Sequence, residues 1–212
     1  MRLVLADPAH ETRLLRENIR AHINREAGTS GGGMNFYTPF WADAKNHARG
    51  TLDLRSATDA RVAANGGRRN LFPALCDGFL LWWEDRRRRR NEPFAILEER
   101  VLGHLEVEGH GVIVVDNILG VRIGDAELRI VYPYFFDEPE LSSELAAIGL
   151  WIMSQALLGY RIENMRVLDV IRGVSYSVED VTIQGNEEAS LRSMYRYLLE
   201  RWAELRAEPR YN

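Results

Sequence analysis

The chain has 212 residues, 46% of them apolar, and a formal net charge of -4. That length suits one domain, or one domain with a helical extension, and the apolar share allows a sizeable core. Its single cysteine, Cys76, excludes an intramolecular disulfide framework and any Cys-cluster zinc or iron–sulfur site.

Of the 27 basic residues only Lys45 is a lysine. A GC-rich genome accounts for such a bias, and arginine's planar fork also suits phosphate and carboxylate recognition. No apolar run approaches the length of a membrane span. The N-terminal Met-Arg-Leu-Val-Leu-Ala-Asp lacks the apolar region of a signal peptide. The expectation is a soluble, cytoplasmic, bacterial-type protein with no membrane partner.

Leu14, Leu15, Ile19 and Ile23 recur at helical spacing and predict a helix over 9–26. The Gly/Ser/Thr stretch 28–33 reads as a flexible loop. It lacks the strand and lysine that a phosphate loop requires. An aromatic cluster follows: Phe36, Tyr37, Phe40 and Trp41, interrupted by Pro39. Such rings stack on unpaired bases or form a layer packed on the core. Asp43, Lys45, His47 and Arg49 lie in a polar, partly helical segment, and a short helix is expected near 58–64.

A longer helix is predicted over 70–88. Leu71, Leu75, Phe79 and Trp82 give it an apolar stripe, which Leu80, Leu81 and Trp83 widen. Trp82 and Trp83 fall on different faces, so one ring should be buried and the other partly exposed. Cys76, among Leu75, Phe79 and Leu80, reads as a buried structural thiol. The helix ends in Arg86, Arg87, Arg88, Arg89 and Arg90. These charges complement the helix dipole and also make a candidate phosphate-contacting patch.

Residues 94–135 read as a β-rich centre. Val112-Ile113-Val114-Val115 forms a strand ending at Asp116. A second run, 118–123, a Gly124-Asp125 turn and a third run, 127–134, make a hairpin. Pro139 breaks the chain, and Ser142-Ser143-Glu144 caps a helix over 143–158. That helix is apolar nearly all round, so it should pack on a sheet. Strands over 164–171 and 174–178 and an amphipathic helix over 187–207 complete the order. The expectation is an α/β or α+β fold, a mixed sheet flanked by helices. Residues 1–93 would form an N-terminal helical region and 94–212 the core.

From Phe94 to about Trp202 this order resembles the RecB/Cas4-like branch of the PD-(D/E)XK nuclease superfamily. In that family a helix precedes a glutamate, matched here by the segment Ala95-Ile96-Leu97-Glu98-Glu99. A strand then carries a metal-binding aspartate, after a turn such as Glu108-Gly109-His110-Gly111. The next strand carries D/E-x-K, and the following helix often holds a glutamine, here Gln155. The resemblance implies a restriction-endonuclease-like α/β fold. The chain departs from it where chemistry matters. The D/E-x-K position falls on Tyr132-Pro133-Tyr134, or less naturally on Glu127-Leu128-Arg129. A protonated phenol is a poor Mg²⁺ ligand, and arginine does not replace a lysine acting as a compact point charge. The family's Cys cluster is also absent.

Two classes of function follow. One is a catalytically degenerate nuclease-like domain, without cofactor, that binds nucleic acid or a protein partner in a DNA-processing or defence complex. Its candidate contacts are Arg68, Arg69, Arg86, Arg87, Arg88, Arg89 and Arg90, with Lys45 and Arg49. The other is an active Mg²⁺-dependent deoxyribonuclease using Glu98, Asp116 and Glu127 with Lys45, where Asp116 and Glu98 hold the metal. A purely structural, self-associating subunit is the third possibility. Asp43-Ala44-Lys45 is the one literal D-x-K in the chain, with His47 and Arg49 beside it. His104 and His110 are near the sheet, but no Cys or carboxylate spacing makes a zinc site with them.

Overall fold

The computed structural model describes residues 8–28, 36–107, 109, 111–125 and 127–208. Most of the expected 28–33 loop, together with Glu108 and His110, lies outside them. Four helices come first: α1 (Pro8–Glu26), α2 (Thr38–Ala48), α3 (Leu54–Ala64) and α4 (Leu71–Arg88). Strands β1 (Phe94–Ile96), β2 (Gly103–Val107), β3 (Gly111–Val115), β4 (Leu119–Ile123) and β5 (Glu127–Tyr134) follow. Helix α5 (Ser143–Ala156), strands β6 (Met165–Asp169) and β7 (Val174–Tyr176), and helix α6 (Glu187–Arg206) close the chain.

The fold is α/β, with a mixed five-stranded sheet in the order β1-β4-β5-β6-β7. Only the β5–β6 pair is parallel. Parallel neighbours need a crossover, and α5 supplies it, its first turn fixed by the Ser142 hydroxyl accepting from the Leu145 N–H. Strand alternation then sorts side chains onto two faces. One face presents Leu119, Val121, Val131 and Leu168 to α2, α3 and α4, where Phe40, Leu54, Phe72 and Phe79 complete a core. The other presents Ile130, Tyr134, Met165 and Val167 to α5, through Leu145, Leu150 and Met153. Helix α1 packs instead on α6, with Leu15 and Ile19 against Leu205. Among the described residues no helix is long and apolar enough to cross a membrane.

Three local expectations change. The strand ending at Asp116 is not part of the main sheet: β3 pairs with β2 as a separate two-stranded sheet. Asn117, at φ 63°, redirects the chain into β4, a left-handed conformation that asparagine tolerates better than most residues. Both tryptophans of α4 are buried, Trp82 at 7% and Trp83 at 2% exposure. Helix α4 is covered on two sides, by α2 and α3 and by the sheet, so more than one stripe is enclosed. Leu81, expected to widen that stripe, is 60% exposed.

Candidate functional site

The end of α2, the segment after β1 and the start of β4 enclose a cleft of about 300 Å³. Three of the four proposed nuclease residues line it: Lys45, Glu98 and Asp116. Arg49, Glu99 and Arg100 are the other charged groups of its wall. Asp116 reaches it because of the bend at Asn117, whose carbonyl accepts from the Trp41 indole N–H. Trp41 is itself in the core, so α2 and the β3–β4 bend are held together. Lys45 lies over the Trp41 ring, 5.9 Å from its centroid.

The Asp116 carboxylate is engaged by the Arg100 guanidinium through two nitrogens. That hydrogen bonding holds its carboxyl below the usual range, with Lys45 adding in the same direction. Burial pushes the Lys45 ammonium below its ordinary value, against the opposing pull of Asp116. Glu127 is elsewhere, ion-paired with Arg90 and Arg129. The four-residue set therefore does not assemble. Among the described residues no group of three or more His, Cys, Asp or Glu is placed to hold a metal ion.

Tyr132 and Tyr134 face the α5 side of the sheet. Tyr134 is 2% exposed and its hydroxyl donates to the Pro139 carbonyl. Burial first, and then the Asp116 charge, push the Tyr132 phenol upward, so it stays protonated and a weak cation ligand. Gln155 is exposed near the end of α5 and donates to the Ser154 hydroxyl. The literal D-x-K also comes apart. Residues two apart on a helix do not share a face: Asp43 is buried and held bidentately by Arg61 of α3, whereas Lys45 turns to the cleft. The His47 ring caps the α2–α3 loop, at 3.1 Å from the Leu52 carbonyl. The aromatic cluster is a packed layer, with Phe40 and Trp41 buried and Tyr37 stacked on Phe135.

The arginine candidates divide by position. Arg68 and Arg69 precede α4, and the 86–90 run ends it, about 27 Å away along an 18-residue helix. Arg68 lies over the Phe72 ring at 5.1 Å. Within the run, Arg88 and Arg89 are exposed and pair along their own helix with Glu84 and Asp85. Arg87 is exposed. Arg86 and Arg90 turn to the sheet, where Arg86 donates to Ser175 Oγ at 3.0 Å and Arg90 meets Glu127. There they join Arg129 of β5 and Arg166 of β6, two residues that reading the sequence for charge runs misses. The available signal was weak: a single charge among apolar neighbours in each strand. No family model matches this sequence, and no curated protein or solved structure is significantly similar to it.

Proposed function

We propose that this chain is a nuclease-like domain of the PD-(D/E)XK type, with a restriction-endonuclease-like core, that has lost cleavage and binds nucleic acid. The observation that carries the reading is the state of the two strands that would hold the metal. Asp116, before β4, is taken up by Arg100, and Tyr132 and Tyr134 of β5 belong to the core against α5. Phosphodiester hydrolysis needs clustered carboxylates to fix a cation and generate the nucleophile; Glu127 lies away from the Asp116 cleft, ion-paired with Arg90 and Arg129, and among the described residues no three such groups are placed to hold a cation. Binding would use phosphate contacts from the exposed Arg87, Arg88 and Arg89 and, separately, from Lys45 and Arg49. The setting would be a DNA-processing or defence complex, with a protein partner alongside or in place of nucleic acid.

One observation favours the active Mg²⁺-dependent nuclease: Lys45, Glu98 and Asp116 do share a cleft. Assays on single- and double-stranded DNA with Mg²⁺ or Mn²⁺ separate the two readings. The expected result is salt-sensitive binding without cleavage. Cleavage that disappears in Asp116→Ala would establish the nuclease instead. Self-association with no nucleic-acid binding at low salt would make the chain a structural subunit.

A further inference from the structure

The four inward arginines surround a pocket on the sheet face opposite the tyrosines. Its floor is Val121 of β4 and Val131 of β5, with Arg129 directly across from Val121 and Arg166 directly across from Val131. Its wall is the last turns of α4, Trp82, Trp83 and Arg86, followed by Arg90. Its volume is about 60 Å³, room for on the order of four water-sized groups. That suits one tetrahedral oxyanion and is too small to enclose a whole nucleotide.

Four guanidiniums line this pocket, and among the described residues no carboxylate does. Among the described residues Glu127 is the one acid ion-paired to them, and it is divided between Arg90 and Arg129. Arg166 is satisfied only in part, by the carbonyls of Glu163 and Met165, and pairs with no carboxylate among the described residues. Glu179 and Asp180 stand near enough to act on Arg166, but Asp180 is committed to the Ser177 N–H and hydroxyl. Burial and the neighbouring Arg129 charge push the Arg166 guanidinium down to about 10, with Glu179 and Asp180 pulling the other way. A second observation is independent of charge: among the described residues the buried indole N–H of Trp82 finds no acceptor. Trp82 lines the pocket, and buried donors are nearly always satisfied.

We propose that the pocket binds the phosphate group of a phosphomonoester, with Arg86, Arg129 and Arg166 as donors and the organic part of the ligand outside. Planar guanidiniums match tetrahedral phosphate oxygens in pairs. The pocket does not depend on the nucleic-acid reading, because its residues are separate from the Lys45 cleft. The ester would come from a free nucleotide-like molecule or from the phosphorylated end of a strand.

Trp82 and Trp83 make intrinsic fluorescence the readout. The protein is titrated at constant ionic strength with inorganic phosphate, a nucleoside 5′-monophosphate and the parent nucleoside. Saturable changes are expected with the first two and none with the nucleoside. Arg166→Gln should weaken binding about tenfold or more, whereas Arg55→Gln, at an exposed position of α3 paired with Asp77, should not. If circular dichroism shows Arg166→Gln unfolded, Arg86→Gln carries the same comparison, since Arg86 is exposed and held by Ser175. The proposal fails if neither phosphate nor the monophosphate gives a saturable response, if the nucleoside binds as well, or if a folded arginine variant binds unchanged. Oligonucleotides with 5′-phosphate and 5′-hydroxyl ends distinguish the sources. A preference for the phosphorylated end assigns the strand terminus and parity assigns the free ester, both with the pocket retained.

Discussion

At Asp116 and Asn117 two adjacent side chains divide the work of shaping the cleft. Asn117 turns the backbone, and Asp116 fixes Arg100 across the wall. A β-branched residue at a left-handed position is strained, so Asn117→Val should cost about 1–2 kcal/mol in urea unfolding, and Asn117→Gly much less. The Asp116 carboxyl titrates below its unfolded value. Such a group stabilises the fold at pH values above the ordinary carboxylate range and ceases to do so as the pH falls through the lowered value. Asp116→Asn should therefore lower the urea midpoint at neutral pH, and the difference should fade as the pH drops through the lowered value. The effect will be small, because Arg100 is 70% exposed and its charge is screened by solvent.

The elements meet closely where α4 crosses the β6–β7 turn. A Cβ at Gly78 would stand 2.1 Å from the carbonyl oxygens of both Val170 and Ile171. Gly to Ala within a helix ordinarily gains up to about 1 kcal/mol. Here Gly78→Ala should instead lose about 1–3 kcal/mol, read as a fall in thermal midpoint. This contact seats the last turns of α4 over the sheet, where Arg86 meets Ser175. Strand β5 sets the opposite limit. Writing a D/E-x-K pattern onto β5 as Tyr132→Asp with Tyr134→Lys puts two charges into the core against α5. The expected outcome is destabilisation by several kcal/mol with no gain of nuclease activity. A stable, cleaving double variant would show that the site needed only those two side chains.

For the whole molecule, basic charge is distributed rather than concentrated. Lys45 and Arg49 are at the cleft, Arg88 and Arg89 pair along the outside of α4, and Arg86 and Arg90 turn to the sheet. Nucleic-acid binding through so few free phosphate contacts should show a shallow salt dependence, each contact adding about 0.9 to the slope of log affinity on log salt for duplex DNA. The double change Arg88→Gln and Arg89→Gln should reduce that slope, as measured by fluorescence anisotropy at a series of salt concentrations. The sequence made the α/β class legible because periodicity reports local burial: the stripe of α4 and the apolar character of α5 follow from residue spacing alone. Lys45, Glu98 and Asp116 were also legible as chemistry-bearing side chains, and the structure brings all three to one cleft. By residue type alone Glu127 belonged with them, and only its pairing with Arg90 and Arg129 separates it. Residue spacing alone marked out most of the helices and strands, whereas the placing of Tyr132 and Tyr134 at a D/E-x-K position is an expectation from the resemblance. Only the tertiary structure decided that β3 leaves the main sheet, that the five-arginine run divides between solvent and sheet, and that Arg129 and Arg166 converge beneath Trp82. Strand partners and facing surfaces are contacts between residues far apart in the chain, and local spacing carries no record of them.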